Sequence, residues 1–87
     1  MKNKSLKIEE RNLLILCLRK YKPDLLEKVD QLNSGLINAV IINEMRNAVG
    51  DELIAEGFKP NLEPNEYGLR LEDLIDRLAD LYLWPDQ

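Results

Sequence analysis

The chain contains no histidine, which removes at once the commonest general base and the commonest metal-ligating side chain. Its single cysteine, Cys17, leaves no internal disulfide and suits a reducing cytoplasm. A lone thiolate also puts a structural zinc or iron–sulfur site out of reach of one chain. Four glycines, Gly35, Gly50, Gly57 and Gly68, are scattered singly, so there is no glycine-rich phosphate loop. The longest uninterrupted apolar runs, residues 13–18 and 39–42, are far too short to span a membrane. Lys2, Lys4 and Lys7 begin like the basic end of an export signal, but Glu9, Glu10 and Arg11 interrupt it. No small-residue cleavage site follows, and a cytoplasmic location is expected. These absences leave no cofactor to expect and no obvious catalytic constellation.

What remains is a charged, helix-forming sequence. Of 87 residues, 45% are hydrophobic and 32% charged, proportions of a globular rather than a disordered chain. A chain of this length makes one domain that buries roughly 60–65% of the surface it exposes unfolded. The formal net charge of −4 conceals an asymmetry. Residues 1–43 carry eight Lys/Arg against five Asp/Glu, a net of +3, whereas residues 44–87 carry four against eleven, a net of −7. An acidic half without a basic groove argues against nucleic-acid binding, which rests on neutralising phosphates. The opposite role, recognition of a basic protein, is open.

Hydrophobic periodicity predicts four helices at about 6–21, 23–33, 36–56 and 65–82, and therefore an all-α single-domain bundle. In the first, Leu6, Leu13, Leu14, Cys17, Leu18 and Tyr21 recur mostly at three- and four-residue spacing. Arg19, Lys20 and Lys22 lie at its C-terminal end, where cations complement the helix dipole. Pro23 cannot continue that helix but is well placed to begin the next, which carries Leu25, Leu26, Val29 and Leu32. Asn33-Ser34-Gly35 ends it with turn chemistry. The third segment carries Ile37, Ile41, Ile42, Met45, Ala48, Val49 and Leu53 over a broad arc and is expected to be central. Gly50 within it costs about 1 kcal/mol relative to alanine, so a break there with Asp51 capping a short continuation is the alternative. Gly57 followed by Phe58 reads as a left-handed helix cap. Residues 58–65 form a connector with two prolines. Asn65 then reads as the N-cap of the fourth helix, with Glu66 in its first turn.

The fourth helix is the most informative. Tyr67, Leu71, Leu74, Ile75, Leu78, Leu81 and Tyr82 project within an arc of roughly 120°, the width of a core-facing stripe. Glu72, Asp73, Asp76 and Asp80 project opposite, with Arg70 and Arg77 to one side. Gly68 is unfavourable in a helix, and close packing at that point is the expected reason for it. The carboxylates lack the burial that would raise a pKa for acid–base work, and there is no calcium-loop pattern. Cys17 sits on an apolar face and reads as a small buried hydrophobe rather than a nucleophile. An acidic run is most often a solvated helix face. Here, however, the acid excess extends upstream through Asp51, Glu52, Glu56, Glu63 and Glu66, as a larger docking patch would require.

Asn65-Glu66-Tyr67-Gly68-Leu69, followed by Leu71-Glu72 and Leu74-Ile75, resembles a pattern in small helical immunity proteins of bacterial polymorphic toxin systems, including the MafI-like group. The resemblance covers about twenty of the 87 residues. It implies a cytoplasmic protein without enzymatic activity that binds and neutralises a cognate toxin. The expected partner is thus a toxin domain with a basic surface, met by Glu66, Tyr67, Glu72, Asp73, Asp76 and Asp80; neither nucleic acid nor membrane is expected. The alternative is a small regulatory adaptor that forms a homodimer through exposed apolar residues such as Ile15, Leu16 or Trp84. Nucleic-acid binding through Lys2, Lys4, Lys7 and Arg11 is a third, weaker reading.

Overall fold

A computed structural model of the chain describes residues 5–34 and 37–83. The described residues form an all-α bundle of four helices, three α-helical and one 3₁₀. In chain order these are α1 (Ile8–Tyr21), a 3₁₀ helix (Pro23–Gln31), α2 (Ala39–Glu56) and α3 (Glu66–Tyr82). Among the described residues no helix is long and apolar enough to cross a membrane.

Helix boundaries follow their capping groups. α1 starts after Lys7, whose backbone N–H donates to the Glu10 carboxylate at 2.8 Å, one half of a capping box. Leu6, expected inside the helix, lies ahead of it and packs on the core. Pro23 opens the second helix as expected, but this nine-residue segment winds with i→i+3 bonds. Such tighter winding is the usual geometry of short helical connectors. α2 starts after Asn38, whose side chain accepts from Ile41 N at 3.0 Å. It runs unbroken to Glu56, so Gly50 is no break. α3 starts after Asn65, as the sequence indicates. Gly35 and Leu36 in the second turn, together with Trp84 and the basic pair Lys2 and Lys4, lie outside the described residues.

α2 is the central element: α3 packs on it most extensively and α1 packs on it as well, while the 3₁₀ helix lies against α1. The core is built from Leu14, Cys17 and Leu18 of α1, Ile42, Met45, Ala48 and Val49 of α2, and Leu71, Leu74 and Leu78 of α3. Leu25, Val29 and Leu32 close it from the second segment. Burial of a Leu or Ile side chain is worth about 1.5–3 kcal/mol, so this set supplies the main driving force for folding. Polar ties fix the outer edges. Arg77 donates to Glu10 at 3.0 Å and to the Ser5 carbonyl at 3.1 Å, fastening α3 to the start of α1. Arg46 donates to the Ile75 carbonyl at 3.1 Å, fastening α2 to α3.

Gly57 does not adopt the left-handed conformation expected of it; its φ is −96°. The backbone of α3 passes so close that a Cβ on Gly68 would stand 2.0 Å from the Gly57 carbonyl oxygen. Glycine is required at Gly68 for this contact, as its helix-interior position suggested. At Gly57 a Cβ would also meet Leu53, at 2.5 Å from Cδ1, so close approach rather than left-handed geometry explains that glycine.

Candidate partner-binding face

α3 sorts its side chains as its periodicity requires. Gly68, Leu71, Leu74, Leu78 and Ala79 are buried, with Tyr67, Ile75, Leu81 and Tyr82 partly so. Glu66, Asp73, Asp76 and Asp80 are exposed, whereas Glu72 is half-buried at the margin of the face. These four and the exposed Leu69 follow one another in steps of three or four, which places them on a single helical stripe, and the exposed Arg70 flanks it beside Glu66 and Asp73. Leu69 is 53% exposed, an apolar group set among carboxylates. The ion pairs among the described residues engage Asp30, Glu52 and Glu10 instead of this stripe. Its charges therefore face solvent without internal partners in the described structure.

Two of the residues expected on this surface belong to a different site. Glu52, counted with the upstream acid excess, is only 2% exposed. Its Oε1 accepts from the Lys20 ammonium and from the Tyr21 hydroxyl at 3.0 Å, and its Oε2 accepts from the Tyr67 hydroxyl at 2.6 Å. Tyr67, expected to touch a partner, thus directs its hydroxyl inward and packs its ring against the core. Burial pushes the Glu52 carboxyl upward, but the hydrogen bonds from Lys20, Tyr67 and Tyr21 outweigh it and the net shift is downward. Burial, together with the Glu52 hydrogen bond, raises the Tyr67 phenol. One carboxylate therefore joins the end of α1, the C-terminal part of α2 and the start of α3. The signal was present in the sequence: Ile42, Met45, Val49 and Glu52 follow one another at helical spacing, so the carboxylate lies in register with the core.

Cys17 is fully buried beside this cluster. Burial and then the Glu52 charge push its thiol up to about 12, with Lys20 opposing. A thiol held in that state is a poor nucleophile. Among the described residues no three acidic or cysteine side chains converge to hold a metal ion.

The connector into α3 is as closely tied as the helices. Asn65 accepts from Gly68 N at 2.6 Å through its side-chain oxygen and donates from its amide to the Glu56 carbonyl at 3.0 Å, so it caps α3 and the end of α2 together. Its backbone N–H also donates to the Gly57 carbonyl at 2.9 Å. In the run Asn65-Glu66-Tyr67-Gly68-Leu69, three residues therefore have work inside the fold: Asn65 as a double cap, Tyr67 on Glu52, and Gly68 against Gly57. Glu66 and Leu69 have none and face outward.

Of the apolar residues expected to mediate self-association, Ile15 packs against the core and Leu16 is exposed. Comparison with protein-family models, with curated proteins and with solved structures gives no match.

Proposed function

We propose that this protein is a non-enzymatic inhibitor of the immunity-protein kind, which binds a cognate toxin domain in the cytoplasm of a bacterium and covers a basic surface on it. The observation that carries the reading is the outward stripe of α3, where Glu66, Asp73, Asp76 and Asp80 lie in line with the exposed Leu69 and outnumber the one exposed cation of the helix, Arg70. Carboxylates without internal partners keep their full field for a cationic partner, and such fields accelerate encounter at low salt. An apolar residue inside the stripe supplies contact area that charge alone does not. The fixed start of α3, held by Asn65, Tyr67 and Gly68, presents these groups with little ordering left to do on binding. Glu72 belongs to the rim of this surface, and Tyr67 supports it from within.

The test is a pull-down from the native host with the full chain, followed by co-expression with the toxin domain that it captures. Protection of growth and a co-purifying complex are expected. If the domain poisons cells equally with and without this protein, and no complex forms, the reading is wrong.

A further inference from the structure

The outward stripe of α2 carries no charge. Val40, Asn43, Asn47, Gly50 and Ile54 follow one another in steps of three and four, and all are exposed except the half-buried Gly50. Val40 is 66% and Ile54 76% exposed, although both are large hydrophobes. A helix face that meets only solvent is ordinarily polar and charged. That is the case on α3, where four of the five outward residues are carboxylates. Gly50 adds to the contrast. Glycine is unfavourable inside a helix, and nothing in this fold requires it, since a Cβ there meets no atom within 4 Å.

The spacing is that of a helix-pairing seam. Val40, Asn47 and Ile54 stand seven residues apart, with Asn43 and Gly50 between them, the alternation along which two helices pack side by side. β-Branched residues at the first seam position favour two-stranded pairing, and an asparagine there fixes the register. Gly50, without a side chain, lets a second backbone come close. An open cleft of about 600 Å³ is lined by Asn47, Gly50 and Ile54 of this stripe, together with Lys22, Arg46, Asp51 and Ile75.

The charges at the rim decide what fits. Projected along the helix, Glu44 and Asp51 flank one side of the stripe and Arg46 the other, and Lys22 joins them from the end of α1. None of these four forms an ion pair among the described residues. Two cations and two anions make a neutral rim. Such a rim suits neither a polyanion nor a strongly basic partner, but it complements a copy of itself. We infer that this stripe is the interface of a two-fold symmetric homodimer, in which α2 of one copy lies against α2 of a second. It is separate from the carboxylates of α3, so it stands independently of the inhibitor reading.

Sedimentation equilibrium of the full chain, as wild type, Val40→Lys and Ile54→Lys, tests this. Wild type is expected to dimerise reversibly, and each lysine to weaken self-association by roughly 30-fold, the loss typical of a hot-spot side chain. Melting temperatures taken at high dilution should match wild type, because both side chains stand free in the single copy. A lowered value assigns the side chain to the fold and overturns its place in the interface. Cross-linking gives a second, independent readout. Asn47 lies at the centre of the stripe, so oxidation of the Asn47→Cys protein should join two copies, while wild type, whose one thiol is the buried Cys17, stays unlinked. A wild type that remains monomeric up to about 1 mM overturns the inference, as does a dimer that both lysine variants leave equally tight. Failure of the Asn47→Cys protein to cross-link overturns it as well.

Discussion

Gly57 and Gly68 meet backbone to backbone at the junction of α2 and α3, so close that a Cβ on Gly68 would fall 2.0 Å from the Gly57 carbonyl oxygen. No rotamer relieves a clash with a backbone atom. Gly68→Ala is expected to destabilise the protein by about 3 kcal/mol, since overpacking here must move a helix. Thermal unfolding should register a fall of roughly 10 °C or more. An unchanged melting temperature would mean that the two helices do not approach this closely.

Gly50 behaves in the opposite way. A Cβ there meets nothing within 4 Å, and α2 is continuous through it. Gly50→Ala should therefore stabilise by about 1 kcal/mol, from helix propensity and a less flexible unfolded chain. The two variants form a matched pair of the same substitution, with opposite signs expected in one melting experiment.

The Glu52 cluster confers acid sensitivity. Because the folded-state pKa of Glu52 lies below its ordinary 4.5, its stabilisation is complete above that value and disappears as pH falls through the lowered one. Glu52→Gln retains an acceptor but not the charge that Lys20 and Tyr67 address. It should cost about 2 kcal/mol at neutral pH, the range for hydrogen bonds to charged groups. Denaturant unfolding of the variant across pH 3 to 7, on the order of the carboxylate range, should show a shallower acid limb than wild type.

Cys17 should be inert in the native protein. With its thiol raised to about 12 and its side chain fully buried, alkylation by iodoacetamide at mildly alkaline pH is expected only after denaturant is added. Rapid native-state labelling would show that α1 opens readily from the core.

The helices were legible because their apolar residues repeat at helical spacing and their ends carry Asn65, Pro23 and flanking charges with defined capping roles. The glycine at Gly68 was legible as a packing contact for the same reason, since nothing else justifies it in a helix. Gly57 misled because a glycine after a helix ordinarily signals a left-handed cap, and only the path of α3 reveals the closer constraint. Glu52 was mistaken for part of a surface because charge was read without its register on α2. Tyr67 falls in the core-facing arc yet also reads as a partner contact, and the sequence does not reveal the acceptor of its hydroxyl: Glu52 lies fifteen residues away, on another helix. The left-handed backbone of Leu62, with a φ of 71°, left no trace, because neither glycine nor asparagine marks that position.

The most direct measurement is the affinity of the full chain for the toxin domain that it captures from its host, with Asp73, Asp76 and Asp80 intact or all converted to asparagine, at low and high salt. Exposed aspartates on the outer face have no role in the core, so the variant should fold normally. If α3 docks a basic surface, the substitutions should weaken binding by roughly 30-fold or more at low salt, with the difference shrinking as salt screens the charges. Equal affinity of the two proteins at both salt concentrations would contradict the assignment and leave the stripe as a solvated helix face.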